Sequence, residues 1–270
     1  MATGTDCVDK AAAAARGITV CNCPGTNVES VSEHALGLYF ATRRRLVELS
    51  VATRDVDVPG EEDLGRDSEW KMKGSLRGRV GNPPLTCCDE TVGIIGYGAV
   101  GKRMHTLARA LGMNVLVAER KDTSSEISSP RPGRAPFEET LRNSTVLILC
   151  LPRSPETLNL ISTAEFQSMA SSPQNQTILI NVARGGIVDE QALLDALKGG
   201  LIAGAATDVY AIEPAGRGDS PLLSAEADGL NLVLTPHLAW LAERTLRNLQ
   251  ESVKRVVEGW YRGEVMNVVN

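Results

Sequence analysis

Three charged side chains follow stretches that the sequence predicts to be buried strands. Arg184 lies in NVARGGIVDE, Glu213 in ATDVYAIEP and His237, one of three histidines in the chain, in NLVLTPHLAW. In an open α/β sheet, ligands bind outside the carboxyl ends of the strands, so all three are well placed for chemistry. A guanidinium fork can clamp the carboxylate of a 2-keto acid and polarise its carbonyl. A glutamate bound to a histidine fixes its tautomer and favours the proton-donating form.

Together these residue types are the set that hydride reduction of a keto acid requires. Each also has a simpler interpretation: Arg184 could hold a loop, Glu213 could be a solvated turn residue before Pro214, and His237 could be packed at the end of its strand. The choice between the two interpretations depends on whether the chain also binds a hydride donor.

A glycine-rich turn supplies the signal for such a donor. Gly96, Gly98 and Gly101 form G-x-G-x-x-G directly after a predicted strand, and Ala99 and Val100 open a predicted helix within the same motif. The glycines let the backbone approach a pyrophosphate, and the helix N-terminus offers amides and a dipole to its charge. A glycine-rich turn without a ligand is the alternative. The surrounding strand and helix favour a dinucleotide site.

The next predicted strand ends at Glu119, near the distance at which an acidic residue binds the adenosine ribose hydroxyls. A carboxylate there repels a 2′-phosphate, which favours NAD over NADP. Arg120 beside it could accept that phosphate, so NADP stays open.

The elements that must position these residues alternate along the chain. Near-continuous apolar runs predict strands buried on both faces, and helical spacing with a glycine stop predicts crossover helices between them. The expected fold is therefore α/β, a doubly wound parallel sheet of the Rossmann type. The predicted strands are 91–96, 114–119, 144–150, 177–183, 202–209 and 231–235, and two of the crossover helices are 99–112 and 189–200.

The segments flanking the sheet are less regular. Residues 27–50 predict one long helix, opened by Ser30 and Glu33 in a capping-box relation. Its run Arg43 to Arg45 is interpreted as a solvated helix face. A stretch from 54 to 90 shows no regular pattern and has Trp70 as its main bulky residue, which is typical of a functional arm or a linker.

Composition narrows the function classes. The net charge of −5 gives no broad basic footprint for nucleic acid. No apolar stretch approaches the ~20 residues that span a bilayer, and the N-terminus lacks a signal-peptide pattern, so the expected compartment is the cytoplasm. Six cysteines without paired C-x-x-C units predict free thiols and no metal site.

Six fragments resemble, in order and spacing, the D-isomer-specific 2-hydroxyacid dehydrogenase family. They are SVSEHALGLYFATRR, VGIIGYGAVGKRMHTLARALGMNVLVAERK, LCLPRSPETLNLI, LINVARGGIVDEQALLDAL, GAATDVYAIEP and LTPHLAW. The fragments GYG, AERK, TPHLAW and the ending NVVN are most similar to its glycerate dehydrogenase, or hydroxypyruvate reductase, branch.

The resemblance implies a role for each site residue. Arg184 would bind the substrate carboxylate and carbonyl, His237 would be the general acid–base, and Glu213 would orient and charge it. Asp208 would hold the nicotinamide carboxamide, and Trp240 would wall the substrate pocket. The cofactor would be lined by Leu151, Pro152, Val182 and Ala183.

The resemblance also implies a domain organisation. Family members carry a substrate domain ahead of the position matched by MATGTDCVD. Residues 1–26, including the strand ITVCNCP, would therefore be a remnant of that domain. Within it, Thr3 and Gly4 match a loop that meets the substrate carboxylate. Residues 27–236 would form the dinucleotide domain, with 54–90 as a dimerisation arm, and 237–270 a helix that returns to the substrate domain. A homodimer is expected.

The leading hypothesis is an NAD(H)-dependent reductase of a small 2-keto acid such as hydroxypyruvate or glyoxylate, working on the corresponding 2-hydroxy acid in reverse. A corepressor-like protein that senses NAD is the alternative from another class, and a truncated pseudoenzyme that binds NAD without turnover is a third. A formate dehydrogenase relative is disfavoured because that branch resembles this sequence except for a glutamine in place of Glu213.

Overall fold

A computed structural model describes residues 2–54, 83–121, 131–170 and 176–270. The chain forms two compact units, one made of residues 1–34 with 238–270 and the other of residues 35–237. The expected boundary at 26/27 lies eight residues before the observed one at 34/35, and the expected boundary at 236/237 lies one residue before the observed one at 237/238. The domain roles given to those ranges stay predictions. The proposed arm at 54–90, with Trp70, lies largely outside the described residues.

The larger unit contains one six-stranded parallel sheet in the order β2-β1-β3-β4-β5-β6. Its short strands are rich in Val, Ile and Leu because both faces of a parallel sheet are covered. The doubly wound α/β fold is confirmed. The strands are β1 (Thr91–Ile95), β2 (Asn114–Val117), β3 (Val146–Leu149), β4 (Ile178–Asn181), β5 (Gly204–Thr207) and β6 (Leu232–Leu234).

Helices flank both faces of this sheet. On one face, Leu147 and Leu179 belong to a buried apolar cluster that includes Phe166 and Leu193 from the helices. On the other face the backbone of Gly101 comes so close that a Cβ there would lie 3.4 Å from Ile94. The α-helices in the described residues are α1 (Lys10–Ala15), α2 (Val28–Arg43), α3 (Leu46–Arg54), α4 (Ala99–Ala110), α5 (Phe137–Asn143), α6 (Thr163–Ala170), α7 (Glu190–Lys198) and α8 (Glu243–Tyr261).

The predicted single helix at 27–50 is wrong. α2 ends at Arg43 and α3 begins at Leu46, and Arg45 between them has a left-handed φ of 49°. The capping box is also wrong, since Ser30 lies within the first turn of α2 and its hydroxyl donates to the carbonyl of Asn27 at 3.1 Å. Helical periodicity continues through 43–46 and therefore does not reveal the break.

Arg43 is buried, not solvated. Its side chain is 4% exposed and donates to both carboxylate oxygens of Glu90, at 2.6 and 2.9 Å, while Glu90 is fully buried. The guanidinium also donates to the carbonyl oxygens of Thr145 and Gln176, which precede β3 and β4. The buried pair therefore binds the end of α2 to the amino ends of the strands. The expected site residues follow the opposite, carboxyl ends.

The smaller unit contains α1, the start of α2, and α8. The fragment ITVCNCP does not form a strand; it makes one isolated antiparallel bridge, between Cys21 and Val268. Asn248 on α8 donates to the carbonyl of Thr26 at 3.1 Å. Among the described residues, no helix combines the length and apolar character needed to cross a membrane.

Candidate active site

The residues expected to do chemistry in the larger unit follow the carboxyl ends of the strands. Because the strands are parallel, these ends share one edge of the sheet. Gly96 follows β1, Leu151 and Pro152 follow β3, Val182 to Arg184 follow β4, Asp208 follows β5, and His237 lies just beyond β6. The structure therefore brings these groups to the carboxyl edge of the sheet, and their roles there stay predictions.

The glycine turn is shaped by steric contacts of its own backbone. Gly96 has φ +93°, and a Cβ there would lie 2.6 Å from the carbonyl oxygen of Cys150. A Cβ on Gly101 would lie 2.1 Å from the carbonyl oxygen of Gly96. These two glycines are required by the turn itself.

Gly98 differs, because a Cβ added there would meet nothing within 4 Å. It is the N-cap of α4, and no side chain caps that helix start, which continues into Ala99 and Val100. The backbone at the N-terminus of this 12-residue helix is therefore open and is not covered by a capping side chain. A dinucleotide pyrophosphate fits such a surface, since the helix N-terminus attracts anions and the missing side chain permits close approach.

Glu119, the expected ribose acid, is held by a partner that sequence reasoning missed. Its carboxylate accepts from Arg131 Nε at 2.9 Å and from the backbone N–H of Arg120 at 2.9 Å. Hydrogen bonds from Arg131 and Arg120 lower the pKa of Glu119 to about 2. The carboxylate is therefore charged at neutral pH. No sequence signal pairs Arg131 with Glu119, because twelve positions separate them.

A second arginine braces the glycine turn. The guanidinium of Arg134 lies 4.7 Å from the ring centroid of Tyr97, inside the G-Y-G motif, and donates to the carbonyl of Ala118 at 3.2 Å. Tyr97 also contacts the ring of His105 edge-on. Arg134 thereby links the turn after β1 to the end of β2.

The groups expected near the nicotinamide are mostly buried. Asp208 is 1% exposed, and its Oδ1 accepts the hydroxyl of Thr235 at 2.6 Å. Val182 and Ala183 are also buried, while Leu151 is half-buried and Pro152 exposed. The structure brings a carboxylate and apolar surface to this edge, as a carboxamide-bearing ring requires.

Arg184 lies in a tightly fixed loop after β4. Its Nη1 donates to the carbonyl of Ala183 at 2.8 Å, and Asn181 accepts the N–H of Ala183 at 3.1 Å. The next residue, Gly185, packs so closely that a Cβ would lie 1.6 Å from the carbonyl oxygen of Tyr210. The Arg184 loop is thus in direct contact with the chain that leads to Glu213.

Glu213 and His237 form a hydrogen-bonded pair. Oε2 of Glu213 lies 2.6 Å from Nδ1 of His237, and the two side chains are 32% and 38% exposed. The other carboxylate oxygen of Glu213 accepts the backbone N–H of Tyr210 at 2.9 Å. His237 has a φ of 55°, a left-handed conformation uncommon outside glycine. The pair can hold and deliver a proton and still be reached by a small molecule.

Thr3, Gly4 and Trp240 belong to the smaller unit, so their roles in substrate binding stay predictions. Thr3 donates to the carbonyl of Cys23 at 3.0 Å and its own carbonyl accepts from Asn22 at 2.8 Å. The carbonyl of Trp240 accepts the hydroxyl of Ser30 at 3.3 Å.

All six cysteines are free, and no group of acidic, histidine and cysteine side chains in the described residues could hold a metal ion.

Comparison with known proteins gives consistent results. Residues 53–239 match the family model described as "D-isomer specific 2-hydroxyacid dehydrogenase, NAD binding domain". A glycerate dehydrogenase from Methylorubrum extorquens is 40% identical over 268 residues, which cover 99% of this chain and 76% of the relative. A glyoxylate reductase from Pyrococcus furiosus is 32% identical over 264 residues, covering 98% and 72%.

Solved structures agree with the sequence relatives. An NADPH-dependent glyoxylate/hydroxypyruvate reductase from Sinorhizobium meliloti, in complex with NADP and malonate, superposes with a TM-score of 0.72 at 28% identity, covering 99% of this chain and 75% of that one. A D-lactate dehydrogenase with NAD+ from Lactobacillus jensenii gives a TM-score of 0.73 at 25% identity, covering 100% and 77%.

Proposed function

The chain belongs to the D-isomer-specific 2-hydroxyacid dehydrogenase family, and we propose that it reduces a small 2-keto acid, hydroxypyruvate or glyoxylate, to the 2-hydroxy acid with NADH. It is an NAD-binding oxidoreductase of the class that acts on CH–OH groups. The observation that carries the proposal is the 2.6 Å contact between Glu213 and His237 at the edge of the sheet where the glycine turn also lies.

When bound, the nicotinamide supplies the hydride that adds to the keto carbon. His237 then gives a proton to the carbonyl oxygen from Nε2, because Nδ1 is bound to Glu213. The Glu213 carboxylate stabilises the charged imidazole before transfer. In the oxidative direction the same nitrogen removes the hydroxyl proton.

Arg184 would hold the substrate by its carboxylate, with two parallel hydrogen bonds, and polarise the neighbouring carbonyl. Arg184 follows β4 and His237 follows β6, and β5 lies between these two strands in the sheet.

The cofactor would lie along the glycine turn, with Asp208 toward the carboxamide and Glu119 toward the adenosine ribose. The charged Glu119 favours NADH, because it accepts ribose hydroxyls and repels a 2′-phosphate. Arg120 and Arg131 flank that carboxylate, so NADPH use is also expected at a lower efficiency.

We also propose a cytoplasmic homodimer. An apolar face of α2 and α3 supports dimerisation: Phe40, Leu46, Val47 and Val51 are each between 37% and 54% exposed. Exposed apolar side chains gain free energy when a second copy removes them from water. Light scattering of the purified chain would show twice the 28.8 kDa chain mass if the proposal is correct.

The test is turnover by the purified 270-residue chain. NADH oxidation would be followed with hydroxypyruvate and with glyoxylate, and the product of hydroxypyruvate would be identified by chiral chromatography. Formation of D-glycerate supports the proposal. NADH binding without consumption of either acid would contradict it and favour a protein that binds the dinucleotide without turnover.

A further inference from the structure

Tyr210 makes hydrogen bonds to Glu213 and to Thr235, in the segment that leads to His237. It follows β5 by three residues, and Glu213 comes three residues later. Its side chain is buried, with the whole residue 7% exposed. The proposed reduction assigns it no role.

The backbone of Tyr210 acts on Glu213. Its N–H donates to Oε1 of Glu213 at 2.9 Å, while Oε2 of the same carboxylate meets His237 Nδ1 at 2.6 Å. With one oxygen held by the amide, the carboxylate plane is fixed and the other oxygen points at the imidazole. A carboxylate without this bond would rotate about its own side-chain torsions.

The phenol of Tyr210 acts on the segment that carries His237. Its hydroxyl donates to the carbonyl oxygen of Thr235, two residues before His237, at 3.2 Å. Burial and the nearby charges of Asp208, Glu190 and Glu213 raise the pKa of Tyr210 to about 12, so the phenol stays protonated and remains a donor at neutral pH.

His237 needs such support because its backbone is strained. A non-glycine residue with φ of 55° is in a sparsely populated conformation and persists only where neighbouring contacts fix it. Thr235 is held by three bonds: its N–H donates to the carbonyl of Thr207, its hydroxyl to Asp208, and its carbonyl accepts from Tyr210.

Tyr210 is itself held from two sides. The carboxylate of Glu190, at the start of α7, accepts the N–H of Ala211 at 2.7 Å and the hydroxyl of Ser220 at 2.6 Å. On the other side Gly185 packs directly against the Tyr210 carbonyl, with no room for a side chain. The backbone that donates to Glu213 therefore cannot shift freely.

We infer that Tyr210 is a positioning residue, which sets the alignment of Glu213 with His237 through its backbone N–H on one partner and its hydroxyl on the segment of the other. The inference rests on the proposed function, because it deepens the account of the same proton-transfer pair.

The test is Tyr210→Phe in the full chain, which removes only the hydroxyl. Tyr39→Phe is the matched control, since Tyr39 is 2% exposed, lies in the same unit and donates its hydroxyl to the buried Glu90 at 3.1 Å, at the opposite edge of the sheet. Two readouts are taken on both variants: steady-state kinetics, and the ring nitrogen shifts of the three histidines in 15N-histidine-labelled protein, with His237 assigned through His237→Asn.

For Tyr210→Phe we expect kcat to fall about tenfold while the KM for the keto acid changes less than about twofold, because proton delivery and not binding is disturbed. The ring nitrogens of His237 should shift while those of His34 and His105 do not. Tyr39→Phe should leave both kcat and the His237 shifts as in the wild type.

Unchanged His237 nitrogens in Tyr210→Phe would overturn the inference, whatever the rate does. Failure of the proposed function has a different signature: the wild-type chain would consume no keto acid, yet the Tyr210→Phe shifts at His237 would still appear and the positioning role would stand.

Discussion

Nδ1 of His237 lies 2.6 Å from Oε2 of Glu213, although 24 positions separate the two residues in the sequence. They meet because β5 and β6 are neighbouring parallel strands, so the segments that follow them leave the sheet at the same edge. The contact engages Nδ1 of the imidazole, so Nε2 is the nitrogen that would face a substrate in the proposed reaction.

Replacing Glu213 with Gln should lower kcat by about 10- to 100-fold, because an amide keeps the shape of the side chain but supplies no charge to stabilise the protonated imidazole. NADH affinity, measured by fluorescence, should not change. Glu226→Gln is the matched control, as Glu226 is exposed and paired with Lys198. Equal loss of activity in both variants would point to damaged folding instead of lost charge.

Replacing Arg184 with Ala should lower kcat/KM for the keto acid by about 10³-fold, since it removes the proposed bidentate carboxylate clamp, which would also polarise the carbonyl. Arg184→Lys should retain only part of the wild-type kcat/KM, because an ammonium lacks the planar fork of a guanidinium. Arg109→Ala, on the exposed side of α4, serves as the control. A near-normal rate for Arg184→Ala would show that another group binds the substrate carboxylate.

Replacing Glu119 with Ser should raise the ratio of NADPH to NADH efficiency by about tenfold or more, because the charge that repels a 2′-phosphate is lost while Arg120 and Arg131 remain. The ratio of kcat/KM values for the two cofactors is the measurement. If that ratio does not move, Glu119 does not face the ribose.

Replacing Arg131 with Ala should raise the pKa of Glu119 from about 2 toward its ordinary value of 4.5, since hydrogen bonds from Arg131 are the largest cause of the lowering. A carboxyl group whose pKa is lower in the folded than in the unfolded chain stabilises the folded state at pH values above its unfolded pKa. The contribution of this pair should therefore be present above about pH 4.5 and be lost as the pH falls toward 2. Carboxyl 13C NMR titration of the two proteins would measure the shift, and identical Glu119 titrations would contradict it.

Replacing Arg43 with Ala should reduce the free energy of unfolding by about 3–5 kcal/mol, because Glu90 would be left as a buried charge without its partner. Arg45→Ala is the comparison: its bond to Glu48 is partly exposed, at 24% and 31%, and should be worth about 0–1 kcal/mol. Urea denaturation of both variants would measure the difference. Equal effects would mean that solvent reaches the Arg43–Glu90 pair.

Much of the fold follows from local pattern. The six apolar runs predict the six strands, since a strand covered on both faces must be apolar along its whole length, and Gly112 and the pair Gly199–Gly200 mark the ends of their helices. The glycine motif predicts the open surface at Gly98 because that surface depends only on neighbouring residues in the sequence.

What the sequence did not reveal depends on long-range pairing. Arg43 appeared solvated because its neighbours are arginines, yet it is buried against Glu90, 47 positions away. Arg131 and Tyr210 act on Glu119 and Glu213 through contacts that no periodicity records. The turn at Arg45 falls inside a continuous helical pattern, so the break could be seen only in three dimensions.

In the proposed reduction of a 2-keto acid, His237 delivers the proton. The most direct measurement is a single-turnover experiment in which enzyme saturated with NADH is mixed with saturating hydroxypyruvate, for the wild type and for His237→Asn. We expect rapid NADH consumption by the wild type and a rate about 10²- to 10⁴-fold lower for His237→Asn, with NADH affinity unchanged. Equal single-turnover rates for the two proteins would contradict it.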